Sequence, residues 1–215
     1  MKKLQGIYLV MDPKGAKEIL LQKLKAALEG GISILQVWNH WHGDVTQHEK
    51  KTFIEEVKLR CDQFDVPVLM HDDWKLALES NLSGVHFDEA PNDFDEVKKA
   101  LESMHIGLTV GNDLEKIAWA EKHQLSYSSF CAMFPSSSVD TCEIVDAKTV
   151  LEAQKITTLP IFLSGGITAQ NLKKLSAISF SGVAIISGIL NSADPKRSTI
   201  EYQEELKNLI QNHEN

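Results

Sequence analysis

The chain has 215 residues, of which 43% are hydrophobic and 24% are charged, a composition typical of a folded globular domain rather than a disordered or collagen-like chain. Its 22 basic and 30 acidic side chains give a formal net charge of -8. This charge disfavours general binding to nucleic acid or to anionic membranes, because such binding depends on Lys and Arg. The three cysteines, Cys61, Cys131 and Cys142, form no CxxC pair and predict neither a disulfide framework nor a zinc knuckle. With no signal-peptide pattern and no apolar stretch long enough to span a membrane, we expect a cytoplasmic protein.

Short apolar runs alternate with longer amphipathic segments along the whole chain. Eight apolar runs bounded by turn residues are predicted strands, at residues 6–10, 32–38, 68–71, 84–87, 106–110, 127–131, 160–164 and 182–186. Between them, apolar residues recur at helical spacing. Eight alternating strand–helix units predict an α/β fold, a TIM (β/α)8 barrel. A doubly wound open sheet is the alternative, but no GxGxxG follows the first strand. We expect a single domain over residues 1–215, with a frayed tail from about residue 211.

In such a barrel the active site lies at the C-terminal ends of the strands. The candidate side chains at these ends are Gln36, Trp38, His40, His71, Asp72, His86, Asp88, Thr109, Asn112, residues 134–138, Ser164, Gly165, Gly166, Ser187 and Gly188. The strongest signal is the pair of small-residue turns after the seventh and eighth strands, because glycines let backbone N–H groups approach a ligand and these turns form the usual phosphate site of the fold. The alternative is that Gly165 and Gly166 only make a tight turn.

Other strand-end residues allow more than one interpretation. His71 and Asp72, with His86, Asp88 and Glu89 on the next strand end, have the side-chain types of a metal site. A histidine inside a small barrel more often has its ring nitrogens satisfied by neighbouring polar groups, and this is the favoured interpretation of His86. The loop 38–43 contains two tryptophans and two histidines. It either stacks on a planar ring or caps the barrel mouth.

Ordered motifs along the chain resemble the thiamine-phosphate synthase superfamily, which includes the thiazole tautomerases. They are GIYLV at 6–10, LQ at 35–36, LAL at 76–78, SGVHF at 83–87, MFPS at 133–136, SGGIT at 164–168 and GVAIISGI at 182–189. The resemblance implies a TIM barrel that joins an aminopyrimidine diphosphate to a thiazole phosphate. The products are thiamine phosphate and pyrophosphate, and the reaction uses Mg2+. The family's phosphate-binding amides correspond to Gly165, Gly166, Ile186 and Ser187.

The pyrophosphate half of the family pattern is altered. Gln36 is kept, but Trp38 stands at the Arg position, His40 at the Lys position and His71 at the Asn position, while Asp72 keeps a metal-binding carboxylate. Three further positions also differ: Pro91 replaces the second metal-binding Asp, Thr109 replaces a Ser and Val139 replaces a Lys. These substitutions predict a degenerate pyrophosphate site and no tight Mg2+ binding without a diphosphate ligand.

By this resemblance the predicted catalytic residues are Gln36, His40, His71 and Thr109, the ring contacts are Trp38 and Phe134, and the metal ligand is Asp72. The expected partner is a small phosphorylated heterocycle, and a homodimer remains open. One alternative function is a non-catalytic barrel that binds such a ligand. Another is a tautomerase, although its base after the fifth strand is replaced by Gly111 and Asn112, which leaves His40 or His71 for that role. A third is an isomerase or epimerase that uses His71 and Asp72.

Overall fold

The computed structural model describes residues 4–136 and 143–213. It contains eight strands: β1 (Gly6–Met11), β2 (Ile34–Val37), β3 (Val68–His71), β4 (Gly84–Phe87), β5 (His105–Thr109), β6 (Tyr127–Phe130), β7 (Ile161–Ser164) and β8 (Gly182–Ile185). Each strand pairs in parallel with the next one along the chain, and β8 pairs with β1 to close the barrel. The predicted TIM barrel is confirmed, and the open-sheet alternative is excluded.

Helices follow the strands and cover the outside of the barrel. They are α1 (Lys17–Gly30), α2 (Gln47–Asp62), α3 (Trp74–Glu79), α4 (Phe94–Ala100), α5 (Leu114–Lys122), α6 (Ala147–Ile156), α7 (Ala169–Leu172), α8 (Ser187–Leu190) and α9 (Pro195–His213), and a 3-10 turn at Lys173–Leu175 extends α7. The last helix packs along α1, next to the seam where β8 meets β1. It is described to His213, beyond the start of the tail that the sequence predicts to fray. Within the described residues, no helix is both long and apolar enough to cross a membrane.

Strand side chains alternate between two packed layers. The inner layer fills the barrel with Leu4, Tyr8, Val10, Ile34, Leu69, Tyr127, Phe162 and Ala184. The outer layer, which includes Ile7 and Leu9 of β1, packs between the strands and the helices. The rings of Tyr8, Tyr127 and Phe162 meet edge to face, with centroids 5.3 to 5.9 Å apart. These rings fill the middle of the barrel, so a cavity at its C-terminal mouth cannot extend through it.

The loops that leave the strand ends are closed by helix caps. Thr46 and Thr168 each form a reciprocal capping box with the residue three positions later. Asp73, Asp113 and Asp146 accept hydrogen bonds from backbone N–H groups at the starts of α3, α5 and α6. These caps fix where each loop turns into its helix, and they therefore define the rim of the barrel mouth.

Candidate functional site

A cavity of about 700 Å³ opens at the C-terminal ends of the strands. Tyr8 and Val10 of the inner layer form part of its wall. Most of the predicted site residues line it, namely Gln36, Trp38, His71, Thr109, Gly165, Gly166, Ile186 and Ser187. The cavity therefore lies where this fold places active sites.

The turn after β7 requires glycine at two successive positions. Gly165 and Gly166 have left-handed φ angles of 82° and 62°. A Cβ atom on Gly165 would lie 2.4 Å from the Cβ of Ala132, and one on Gly166 would lie 2.4 Å from the carbonyl oxygen of Pro135. No other residue fits either position without a shift of the backbone.

Hydrogen bonds fix the peptide planes of this turn. The carbonyl oxygens of residues 164–166 accept, in order, from the Met133 N–H at 2.8 Å, the Phe134 N–H at 3.0 Å and Asn171 Nδ2 at 2.9 Å. In a trans peptide the N–H and C=O bonds point in opposite directions. The N–H groups of residues 165–167 therefore point away from those three donors. All three residues line the cavity.

Across the mouth, three side chains from β3 and β4 form a cluster that we call the His–Asp cluster: His71, Asp72 and Asp88. His71 Nε2 lies 3.0 Å from Asp88 Oδ2 and 3.5 Å from Asp72 Oδ2. The Asp88 N–H donates to Asp72 Oδ1 at 3.1 Å, and Thr109 Oγ1 donates to Asp88 Oδ1 at 3.2 Å. The Asp88 side chain is 59% exposed, and its carboxylate lies at the rim of the cavity, against His71 and Thr109.

The two carboxyl groups of the His–Asp cluster have different acidities. The hydrogen bond from His71 lowers the pKa of Asp88 to about 2, so this carboxylate is ionised at neutral pH. Partial burial raises the pKa of Asp72 above its usual value. Asp88 therefore loses its proton more readily than Asp72 does.

A buried hydrogen-bond chain connects the cavity wall to the barrel interior. The Tyr8 hydroxyl donates to Gln36 Oε1 at 2.6 Å and lies 2.8 Å from the Tyr127 hydroxyl. His86 Nδ1 lies 2.9 Å from the same Tyr127 hydroxyl, and its Nε2 lies 2.9 Å from Thr109 Oγ1. Burial lowers the pKa of His86 to about 4, which keeps the ring neutral. The favoured interpretation of His86, with both ring nitrogens satisfied by neighbours, is confirmed.

The loop after β2 separates Trp38 from His40. Trp38 lines the cavity, whereas the His40 ring lies against Trp38 with centroids 4.7 Å apart and a tilt of 39°, and it does not line the cavity. His40 Nδ1 lies 2.9 Å from Asp12 Oδ2, and its Nε2 lies 2.6 Å from Lys14 Nζ. Trp41 packs against the outer layer. This loop therefore caps the barrel mouth and presents one aromatic ring to the cavity.

Among the described residues that line the cavity, carboxylates outnumber basic groups. Asp88, Glu89 and Glu143 contribute carboxylates, whereas Lys116 contributes the one ammonium group and donates to Glu89 at 2.5 Å. Val139, which the family pattern places at a Lys position, lies outside the described residues, as does Cys142. The described part of the cavity therefore carries a net negative charge.

Two predicted site residues besides His40 lie off the cavity wall. Phe134 packs against the outer layer, and Asp72 lies behind His71 and Asp88 at the rim. Sequence reasoning missed Tyr8 and Tyr127 as parts of the site. The sequence did contain a signal for them. Side chains alternate between the two faces of a strand, and this alternation places Tyr8 and Tyr127 inside the barrel.

Comparison with known proteins agrees with this architecture. A family described as "Thiamine monophosphate synthase" matches residues 7–189 of the chain. The chain belongs to this family. The superfamily resemblance inferred from the sequence is thus confirmed, and the matched residues include the turns after β7 and β8 and the His–Asp cluster.

Relatives in the thiamine monophosphate synthase family match the chain over nearly its whole length. A thiamine-phosphate synthase of Bacillus cereus is 30% identical over 208 residues, which cover 96% of this chain and 92% of that protein. The thiamine-phosphate synthase of Bacillus velezensis is 28% identical over 209 residues, which cover 96% and 93%. The structure of a thiamine phosphate pyrophosphorylase from Pyrococcus furiosus superimposes with a TM-score of 0.82 at 18% identity, covering 96% of this chain and 97% of that one. At this low sequence identity, the structural similarity shows a shared fold.

Proposed function

We propose that this family member binds a small phosphorylated heterocycle, of the class of thiazole phosphate or thiamine phosphate, and transfers the pyrimidine group from its diphosphate weakly or not at all. The observation that carries the proposal is the pair of turns after β7 and β8, which line one side of the cavity with Gly165, Gly166, Ile186 and Ser187. Backbone N–H groups at such turns bind phosphate without a basic side chain. The names of the relatives support this class of ligand.

The heterocyclic ring of such a ligand fits between the phosphate-binding turns and Trp38. Trp38 lines the cavity and packs against the inner layer, which supports its predicted role as a ring contact. Gln36 lies beside it and is held by the Tyr8 hydroxyl. Phe134 lies off the cavity wall, so the structure gives less support to its predicted role as a second ring contact.

The proposal of weak transfer rests on the charges around the departing diphosphate. In the family reaction pyrophosphate leaves as an anion, and positive groups around it stabilise the transition state. Here Trp38 occupies the Arg position, His40 faces Asp12 and Lys14 rather than the cavity, and the Thr109 hydroxyl is held by His86 and Asp88. The described residues that line the cavity contribute three carboxylates and one ammonium group, and that ammonium group is already paired with Glu89. This balance of charge repels a diphosphate rather than attracting it.

A tautomerase function receives less support. The position of that base carries Gly111 and Asn112, neither of which accepts a proton at neutral pH. Of the two histidines left for the role, His40 does not line the cavity, and His71 Nε2 is directed at two carboxylates.

A thermal-shift experiment with four ligands tests the proposal: thiazole phosphate, thiamine phosphate, the aminopyrimidine diphosphate and inorganic pyrophosphate. A ligand present at 100 times its Kd adds about 2.7 kcal/mol to the free energy of unfolding. We expect both monophosphates to raise the melting temperature and pyrophosphate to leave it unchanged. Stabilisation by pyrophosphate without stabilisation by either monophosphate would refute the proposed subsite.

A turnover assay tests the second half of the proposal. The full chain is incubated with both substrates and Mg2+, and thiamine phosphate is measured by oxidation to its fluorescent thiochrome, with a Bacillus thiamine-phosphate synthase as the positive control. We expect very low or undetectable product. Turnover comparable to that of the control enzyme would mean that other residues supply the missing positive charge, with Lys14 and Lys116 the first to examine.

A further inference from the structure

The residues at the family's metal position do not suit Mg2+. Asp72 keeps one carboxylate of the family pattern, but Pro91 has no side-chain donor for the second. The adjacent position carries His71, and imidazole nitrogen is a ligand for transition metals, whereas Mg2+ prefers oxygen ligands in an octahedron. The donor set has thus changed from oxygen atoms alone to a mixture of nitrogen and oxygen.

The His–Asp cluster has the spacing of ligands around one ion. One donor atom from each of His71, Asp72 and Asp88 lies within 4.8 Å of the others. His71 Nε2 is 3.0 Å from one carboxylate oxygen and 3.5 Å from the other. Two ligands bonded to a metal at about 2.1 Å lie about 3.0 Å apart at a right angle and about 3.4 Å apart at a tetrahedral angle. Both observed separations match these values.

Burial and hydrogen bonds hold the side chains of the His–Asp cluster in place. The His71 side chain is 9% exposed, and its ring nitrogen Nδ1 is buried with no hydrogen-bond partner among the residues that the structure describes. The Asp88 carboxylate is held by Thr109, and the Asp72 carboxylate is held by the backbone N–H of Asp88. Two carboxylates thus converge on one imidazole ring, and this excess of negative charge favours a cation.

We propose that His71, Asp72 and Asp88 bind one divalent first-row transition-metal ion of the Zn2+ or Mn2+ class in preference to Mg2+. His71 and Asp88 line the cavity, so oxygen atoms of a ligand in the cavity can reach the ion. The proposal is independent of phosphate binding, because the phosphate-binding turns belong to β7 and β8 on the opposite side of the barrel. Metal binding and phosphate binding can therefore fail separately.

Calorimetric titration of the full chain with Zn2+ and with Mg2+, without any phosphate ligand, tests this selectivity. Mn2+ binding, followed by electron paramagnetic resonance, serves as a third titration that is insensitive to the thiols, because Mn2+ favours hard oxygen ligands over thiolates. We expect one Zn2+ and one Mn2+ per chain, and binding of Mg2+ at least about tenfold weaker than that of Zn2+. Mg2+ binding as tight as Zn2+ binding, or no binding of either transition metal, overturns the proposal.

Substitutions at His71 and Asp88 test whether these two side chains bind the metal ion. His71→Asn restores the family residue at that position, and Asp88→Asn keeps the shape of the side chain while removing its charge. We expect each to weaken Mn2+ and Zn2+ binding by about tenfold or more. Glu89→Gln is the matched control, because it removes a neighbouring carboxylate that is 74% exposed and lies outside the cluster, and we expect it to change affinity by less than about twofold. Equal losses in all three variants would show a general charge effect and refute the site.

A spectroscopic measurement on the unmodified chain covers the case in which a variant does not fold. Electron spin-echo modulation of bound Mn2+ detects a directly coordinated imidazole nitrogen. We expect this nitrogen coupling in the unmodified protein and in Glu89→Gln. Bound Mn2+ without any nitrogen coupling would exclude His71 as a ligand.

Discussion

The hydroxyl groups of Tyr8 and Tyr127 lie 2.8 Å apart in the sealed centre of the barrel. Burial raises the pKa of both tyrosines, so each carries its proton. Because Tyr8 donates to Gln36, Tyr127 must donate to Tyr8. His86 Nδ1–H then donates to Tyr127, which leaves His86 Nε2 as an acceptor. The Thr109 hydroxyl carries one proton, which is shared between His86 Nε2 at 2.9 Å and Asp88 Oδ1 at 3.2 Å. The protons of Tyr8, Tyr127 and His86 thus fill the three hydrogen bonds from Gln36 to His86, and their direction assigns the neutral His86 ring as the Nδ1–H tautomer.

Tyr127→Phe should destabilise the protein by about 1 to 3 kcal/mol, because in a buried site it leaves His86 Nδ1–H without an acceptor and removes the donor to the Tyr8 oxygen. Urea unfolding followed by circular dichroism measures the change. Ser128→Ala is the matched control, since Ser128 is 0% exposed and its hydroxyl has no hydrogen-bond partner among the described residues. We expect this control to be neutral or stabilising, and equal losses in the two variants would contradict the role of the chain.

The sequence predicts the barrel well because each strand is an apolar run between turn residues. The predicted runs at 68–71 and 84–87 coincide with β3 and β4. The predicted run at 32–38 is longer than β2, because Gly31 still ends α1 in a left-handed conformation and the paired segment begins only at Ile34. The turn after β7 is equally predictable, because two adjacent glycines at a strand end favour a tight turn with left-handed φ angles.

The other side of the mouth was harder to predict because it depends on contacts between distant loops. Lys14 and His40 are 26 residues apart and meet only because β1 and β2 are neighbours in the barrel. The Asp88 carboxylate lies against Thr109 and His71 at the rim of the cavity, and no spacing in the sequence indicates that pairing. Family positions predict which residues replace the cations, but not what those replacements contact.

Gly166→Ala should abolish stabilisation by thiazole phosphate and lower the melting temperature. The added Cβ would lie 2.4 Å and 2.6 Å from the carbonyl oxygens of Pro135 and Phe134, at a residue with φ of 62°. The turn must therefore shift, and its amide groups would shift with it. Thermal shifts with and without ligand measure both effects. Gly43→Ala is the control, because a Cβ there meets no atom within 4 Å, and a normal ligand response in Gly166→Ala would argue against the subsite.

The Cys61 thiol should resist alkylation in the folded protein. Cys61 is 0% exposed, and its burial raises the pKa of the thiol to about 12. At pH 8 the reactive thiolate is then on the order of one part in ten thousand. Peptide mass spectrometry after brief iodoacetamide treatment should find Cys61 unmodified in the native chain and fully modified in guanidinium. Equal labelling rates in the two states would show that α2 opens readily.

Restoring the family's cations should raise the affinity for pyrophosphate. Trp38→Arg places a guanidinium group on a residue that lines the cavity, and His40→Lys adds a second positive charge beside it. Asp12 contacts residue 40, so we expect the new Lys to pair partly with that carboxylate and the Arg to contribute more. We expect the double variant to bind pyrophosphate at least about tenfold more tightly, with a gain that decreases as salt increases. Adding Val139→Lys at the third family position should increase the gain.

Isothermal titration with pyrophosphate measures this gain, and a control separates local from overall charge. Ile19→Arg with Leu59→Lys adds the same two charges at side chains that are 55% and 63% exposed on α1 and α2. Charges this far from a ligand in an exposed setting are largely screened at physiological salt. We therefore expect no more than about a twofold change in this control. An equal gain in both double variants would mean that net charge alone limits diphosphate binding, and it would contradict the proposal that the substitutions at positions 38 and 40 weaken pyrophosphate binding.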